Sequence, residues 1–328
     1  MRREIPVEES IGMVLAHDLT QIIPGQFKGR LFKKGHIIRE EDIPALLSIG
    51  KRHIYALIPE EGEVHEDDAA QAMARLLADP SLAPVGPHEG KVTLKAAWNG
   101  LLTIDADRLK SVNRIGELAI VTKRSAAAVT AGETVAGLRA LPLLVDRRKL
   151  DQFSDIIKGS PLLRVLPFLR LKVGVVTTGS EVFSGLIEDR FGPVLRDKLQ
   201  PYGLQWLGQS IVGDELDDIV AAIRSWLAAG ADLVLVTGGM SVDPDDRSPG
   251  AIRQVADRVV AQGMPVLPGS MTMLAYAGEA TLMGLPGCVI YDSVTAFDWL
   301  LPRIAAGQRP TADDIAELGH GGLMGNNG

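Results

Sequence analysis

Residues 171–181 read LKVGVVTTGSE, and their pattern decides the fold of the larger part of the chain. An unbroken apolar run ends in a glycine turn flanked by hydroxyls and a carboxylate. A short run of that kind, bounded by a turn, suits a strand buried inside a parallel sheet. Open α/β sheets bind ligands beyond the carboxyl ends of their strands, and Thr177, Thr178, Gly179, Ser180 and Glu181 fall at such an end.

Downstream the same rhythm continues to residue 306. Strands are expected at VGVVTT, LQWLG and DLVLVT, and in weaker form at MPVL and ATLMG. Helices are expected at PVLRDKLQPY, ELDDIVAAIRSWLAA, PGAIRQVADRVVAQ and VIYDSVTAFDWLLPRIAA, each with apolar residues three or four apart. Strands alternating with amphipathic helices give a doubly wound α/β sheet. Trp206, Trp226 and Trp299 lie inside these elements and read as core, whereas Trp98, beside Asn99-Gly100, stands apart. The last residues, LGHGGLMGNNG, read as a flexible tail.

Upstream, EEDIPALLSIG reads as a short helix closed by Gly50, and residues 53–58 as a strand. The acidic PEEGEVHEDD leads into the helix DDAAQAMARLLA. Between 91 and 145, short apolar runs separated by Gly or Asn are β-rich, and RRKLDQFSDIIKG carries Leu150, Phe153, Ile156 and Ile157 at helical spacing. The expected division is a small mixed α/β module over 1–66, a helix plus β-rich domain with a bridging helix over 67–165, an α/β domain over 166–308 and a tail over 309–328.

Composition supports more than one core: the chain has 328 residues, 46% hydrophobic and 23% charged. No apolar run approaches the ~20 residues that cross a bilayer, and MRREIPVEES is followed by no apolar stretch, so a cytoplasmic protein is expected, with neither a membrane span nor a secretory signal. Cys288 is alone, and the six histidines show no ligand spacing. A net charge of −7 without clustered Lys or Arg argues against nucleic acid as a partner. An anion would instead be held locally, by helix N-termini and backbone N–H groups in turns.

Several further loops supply such groups. The run DLVLVT leads into Gly238-Gly239-Met240-Ser241, where two glycines allow close backbone approach, and then into VDPDDRSP, which combines three carboxylates, Arg247 and a Ser-Pro helix start. Asp214 precedes a helix and has N-capping as its default role. Pro268-Gly269-Ser270 and Leu285-Pro286-Gly287 each follow an apolar run. Any one of these serves equally well as a plain turn. Gathered at one sheet edge, they would leave Glu181, Asp214 and Asp246 available to hold Mg²⁺ against a phosphate.

The ordered set TTGSE, GD before a helix, TGGMSV with DD, LPGS and GLPG resembles the molybdopterin-binding domain of molybdenum-cofactor biosynthesis proteins over about residues 171–306. The resemblance implies a three-layer α/β/α domain, preceded here by smaller β-rich or mixed domains. It implies a ligand: molybdopterin, a pterin dithiolene with a terminal phosphate, or its nucleotide form. Some members adenylylate it with Mg²⁺ and ATP; others insert molybdate. By position Glu181, Asp214 and Asp246 match the family's acids, as catalytic residues and Mg²⁺ ligands. Gly179, Gly238, Gly239, Ser241, Pro268, Gly269, Pro286 and Gly287 match its ligand-contacting turns, with Thr177, Thr178, Ser180, Met240, Ser270 and Leu285 beside them.

Departures accompany the matches. Asp189-Arg190-Phe191 stands where catalytic members carry Asp-X-Asn, Ser270-Met271 where Pro-Gly-X-Pro ends, and Cys288-Val289 where Asn-Pro follows Gly-Leu-Pro-Gly. The Asn-Ser-Ala-Met-Asp-Gly signature of the molybdenum-insertion branch is missing, although FKKGHIIREEDIPALLSIG resembles the segment just before that branch's binding domain. The leading expectation is therefore a molybdopterin-binding protein of cofactor maturation or delivery. Alternatives are a Mg²⁺-dependent adenylyltransferase or molybdenumtransferase, hydrolysis of a nucleotide pyrophosphate, and a cofactor-sensing regulator or scaffold. The resemblance also implies a homo-oligomer, dimer or trimer, and a molybdoenzyme or another cofactor-biosynthesis protein as partner.

Overall fold

The computed structural model describes residues 2–23, 27–240 and 246–324. Two compact units emerge: residues 1–98 with 102–165, and residues 99–101 with 166–328. The expected boundary at 66/67 lies inside the first unit, which nevertheless contains two separate hydrophobic cores.

In the first unit, Arg2–Pro6 and Val14–Leu15 pair antiparallel with His53–Leu57. Val7, Leu15, Leu19, Ile38, Leu46 and Ile54 close a small core there. A four-stranded antiparallel sheet follows, in the order Leu118–Thr122, Thr134–Ala140, Lys91–Ala96, Leu82–His88. The helix Glu66–Leu76 lays Ala69, Ala70 and Met73 into the core of this sheet, and Phe153 of the helix Arg147–Ile157 joins them. Among the elements unread in the sequence are the strands Glu63–His65 and Leu163–Pro167, the helix Ala106–Asn113 and the strand Leu82–His88. Pro84 and Pro87 masked that strand, and it accommodates them as the outer member of the sheet with an irregular register between Val85 and His88.

The second unit is built on a six-stranded sheet. Its strands are β1 (Lys172–Thr178), β2 (Gln205–Val212), β3 (Leu233–Thr237), β4 (Arg258–Gln262), β5 (Met273–Ala277) and β6 (Ala280–Leu285), in the order β2-β1-β3-β6-β5-β4. The first four of that order run parallel, while β5 is antiparallel to β6 and β4 to β5. The helices are α1 (Ser180–Phe183), α2 (Phe191–Leu199), α3 (Leu216–Ala228), α4 (Ser248–Val255), α5 (Cys288–Tyr291), α6 (Ala296–Ala305) and α7 (Ala312–Glu317).

Alternation along the strands explains the three layers. Val173, Val175, Leu233, Leu235 and Met283 meet α2 and α6 on one face, through Leu195, Phe297 and Leu300. Val176, Val234, Val236 and Leu282 meet α3 and α4 on the other, through Ile219, Ile223 and Ile252. A strand covered on both sides needs no solvated polar face, which is why 173–176 and 233–236 read as unbroken apolar runs. Trp226 of α3 lies across Gly174 and Gly208, where any side chain would strike its indole, and it donates to the Val175 carbonyl at 3.1 Å.

Four expectations change. The run 249–262 is not one helix: α4 ends at Val255, Ala256 turns extended, and the β-branched residues that follow form edge strand β4. The run 289–306 is two helices, because Asp298 accepts from both the N–H and hydroxyl of Thr295 and starts α6 afresh. MPVL forms no strand; Leu267 makes only an isolated bridge to Leu323. The tail from 309 is docked as far as residue 324: Ile315 of α7 is buried, Arg303 pairs with Asp314, Tyr276 donates to the Pro310 carbonyl, and Leu267 bonds Gly322 and Met324 through its backbone.

Candidate functional site

Because β1, β2, β3 and β6 run parallel, the loops after Thr178, Val212, Thr237 and Leu285 leave from one edge of the sheet. The pairs Met273↔Gly284 and Gln262↔Met273 bring the 263–272 loop to that same edge. All the glycine-bearing loops singled out in the sequence thus gather there. Ser241 lies outside the described residues.

The first two loops are tied by a carboxylate. Asp214 Oδ2 accepts from the Ser180 N–H at 2.8 Å and from the Ser180 hydroxyl at 2.6 Å. Its expected N-capping role passes to Glu215, which makes no side-chain capping bond. Gly179, at φ 138°, occupies a backbone region closed to most side chains, and a Cβ there would meet nothing nearer than Glu181 Oε2 at 4.0 Å. Gly287 likewise faces open space. Backbone is therefore exposed to solvent after both β1 and β6.

Beneath the edge, hydroxyls serve the framework. Thr177 is fully buried and accepts from Thr237 Oγ1 at 3.1 Å and Gln209 Nε2 at 2.9 Å. The same Gln209 amide donates to Asp189 at 2.7 Å, and Asp189 also accepts the N–H groups of Phe191 and Gly192 that open α2. Thr178, also buried, pairs with the Ser248 hydroxyl at 3.3 Å, and Ser248 donates to the Gly238 carbonyl at 2.7 Å. A side chain at Gly238 would collide with the Thr178 carbonyl, and one at Gly239 would crowd Ser248 Oγ at 3.2 Å. Both glycines have positive φ and let the third loop lie against the first.

Several sequence-derived site residues thus position the edge and do not line it. Thr177 and Thr178 are spent on internal hydrogen bonds. Met240 packs over Gly284, Leu285 is core, and Gly269 admits the start of α6, with the Ala296 nitrogen 2.8 Å from its would-be Cβ. Pro268 and Ser270 are partly buried, and the Ser270 carbonyl accepts from Met264. At the exposed edge stand Ser180, Glu181 and Gly287, with Gly179, Asp214, Pro286 and Asp246 half-exposed.

The three acids do not assemble as expected: among the described residues no group of three His, Cys, Asp or Glu side chains lies close enough to hold a metal ion. Asp214 Oδ2 is already engaged by Ser180, while Asp246 Oδ2 is buried and has no hydrogen-bond partner among the described residues. Burial pushes the Cys288 thiol up, and nearby Asp292 adds to the shift, so this residue of the fourth turn stays a neutral thiol. Sequence reasoning missed Gln209, a polar residue inside a strand, and gave Ser248 no role beyond the Ser-Pro helix start.

Residues 174–306 match the family model of the probable molybdopterin binding domain. Over that span the C-terminal half carries the molybdopterin-binding type of domain that its motifs resemble. Residues 4–58 match a domain of unknown function. Among relatives, a CinA-like protein of Mycobacterium sp. (strain MCS) is 34% identical over 87 residues, 26% of this chain and 21% of that protein. The CinA-like protein of Mycobacterium tuberculosis (strain ATCC 25618 / H37Rv) is 37% identical over 75 residues, 23% of this chain and 17% of its own. The chain thus spans about a fifth of the length of the curated relatives it matches. Among solved structures, the molybdopterin biosynthesis enzyme MoaB from Thermus thermophilus is 26% identical, with a TM-score of 0.37 over 41% of this chain and 91% of that one. A molybdopterin biosynthesis protein from Mycobacterium abscessus is 21% identical, with a TM-score of 0.36 over 42% and 93%. No helix among the described residues is long and apolar enough to cross a membrane.

Proposed function

We propose that this protein binds a molybdopterin-type ligand, a phosphate-bearing pterin or its nucleotide form, at the carboxyl edge of the β2-β1-β3-β6 strands, and acts in maturation or delivery of that cofactor. The carrying observation is the convergence of the loops at one edge, with bare backbone at Gly179 and Gly287, inside the span that matches the molybdopterin-binding family model.

The residues present fit such a ligand. The N-terminus of α4, eight residues long, abuts the Gly238-Gly239 turn, with the Arg247 N–H 3.6 Å from the would-be Cβ of Gly239. The exposed Arg247 side chain makes no hydrogen bond or ion pair among the described residues. Positive backbone groups and an exposed guanidinium together attract a phosphate. The Ser180–Asp214 tie holds the first loop open beside them, and the Thr178–Ser248–Gly238 bonds fix the third. These residues bind and orient.

Titration of the full chain with molybdopterin followed by calorimetry tests the reading. A dissociation constant of about 1 µM or below is expected, with Arg247→Ala weakening it roughly tenfold through loss of a charged contact. Absence of measurable heat at concentrations far above that value would reject the reading.

One observation favours a second reading. The Asp246 oxygen without a partner among the described residues suits a cation, so Asp246, together with phosphate oxygens of a bound nucleotide, would hold Mg²⁺ in an adenylyltransferase using ATP. The ion would supply charge neutralisation on the transferring phosphate. Formation of adenylylated product from molybdopterin and ATP, lost in Asp246→Asn, is its signature; equal turnover in that variant would remove Asp246 from the role.

A further inference from the structure

The aromatic residues of the C-terminal unit are unevenly placed. Phe183 is 63% exposed and Tyr291 76% exposed, while every other described Phe, Tyr and Trp of that unit is buried or half-buried. Both exposed rings stand at the candidate edge, Phe183 at the end of α1 after β1 and Tyr291 at the end of α5 after β6. Phe183 is held there: its N–H donates to the Gly179 carbonyl at 2.9 Å, and its helix begins at Ser180, which Asp214 anchors. Its ring edge lies 3.9 Å from the would-be Cβ of Gly213, so it leans on the second loop and away from the core. Leu186 and Ile187, 80% and 55% exposed, follow it in the same segment, their N–H groups bonded to the Glu181 carbonyl.

Elsewhere at this edge the accessible groups are backbone, carboxylates and Arg247, which recognise an anion but offer nothing to a flat ring. Ligand sites join a few polar groups to apolar and aromatic walls. Among the described residues of the edge, exposed aromatic surface belongs to Phe183 and Tyr291 alone. Strands β1 and β6 are separated by β3, so the segments that carry the two residues leave strand ends about 10 Å apart, a span comparable with a fused heterocycle.

We infer that Phe183 and Tyr291 are the aromatic walls that take the ring of the ligand, leaving its phosphate to the Gly238-Gly239 turn and Arg247. This rests on the binding reading above and adds to it the orientation of the ligand. Ring contact sets specificity for a planar heterocycle; the glycine turn sets specificity for the anion.

Calorimetric titration of full-chain variants with molybdopterin, and with inorganic phosphate as a probe lacking the ring, separates the contributions. Phe183→Ser and Tyr291→Ser should each weaken molybdopterin binding roughly fivefold to tenfold, as expected for loss of one aromatic stack. Phe183→Tyr should restore it, and Val121→Ser, an exposed apolar position in the other unit, should leave it unchanged. Competition by inorganic phosphate should be the same in all four variants. If the wild-type chain binds molybdopterin and both serine variants bind it equally well, the inference is overturned while the binding reading stands. Serine variants that change the sedimenting mass with unaltered affinity would assign the rings to a subunit interface, which also overturns it. A wild-type chain that binds no molybdopterin removes the binding reading itself.

Discussion

Asp214 shows how position decides what a residue does. Its place before a helix predicts a cap, yet its carboxylate turns to the neighbouring strand's loop and accepts both donors of Ser180. A carboxylate taking an N–H and a hydroxyl from another loop fixes that loop's conformation. Asp214→Ala should therefore lower stability by only about 1 kcal/mol, the usual net worth of such bonds. It should also raise amide hydrogen exchange at residues 180–184 and weaken molybdopterin binding. Unchanged exchange there would show that the tie does not hold the loop. One departure from the family pattern is met at the same scale. Where an asparagine amide is lost at Phe191, the amide of Gln209 reaches Asp189 from strand β2, and Phe191 itself packs against the core. No reading of adjacent positions could find Gln209, because it lies 20 residues further along the chain and is brought in by strand pairing.

At the scale of elements, the α3 helix closes on the sheet through an indole as well as through Ile219 and Ile223. Trp226 fills the space left by Gly174 on β1 and Gly208 on β2. Gly174→Ala should destabilise by roughly 1–3 kcal/mol, as overpacking of a filled site does. In a Trp226→Ala background most of that penalty should vanish, giving a large coupling in a double-mutant cycle by chemical denaturation. Additive effects would contradict the packing described. The parallel strands and the helices between them were legible because burial on both faces leaves a plain apolar signature, as in 233–236. What misled was local: Arg258-Val259-Val260 has helical neighbours but pairs antiparallel with β5, and Thr295-x-x-Asp298 restarts a helix inside what looks like one amphipathic run. Site residues divided in the same way. The glycine turns were legible as turns at strand ends, whereas the burial of Thr177, Met240 and Leu285 depends on which face of the sheet each occupies.

At the scale of the C-terminal unit, the docked end of the chain is an electrostatic structure. Burial pushes the Asp314 carboxyl up, but hydrogen bonds from Thr311 and Arg303 outweigh it and hold the group down at about 2, below its ordinary 3.8. A carboxylate depressed on folding stabilises above its unfolded value and loses that contribution as pH falls through the folded one. Docking of α7 should thus persist at neutral pH and weaken between about pH 4 and pH 2. Limited acid proteolysis with pepsin, mapped by mass spectrometry, should show new cleavage near 310–320 in that window. Asp314→Asn should be cleaved there already at pH 4, and identical patterns in the two proteins would contradict the role of this pair.

The unit as a whole combines a polar, glycine-rich edge with two outward aromatic rings, inside a span matching the molybdopterin-binding family model. Calorimetric titration of the full chain with molybdopterin tests most directly whether this edge holds that ligand. Saturable binding at about 1 µM or tighter, weakened in Arg247→Ala, is the predicted result. Absence of binding by a folded wild-type chain, or binding indifferent to Arg247, Asp214, Phe183 and Tyr291 alike, would contradict it.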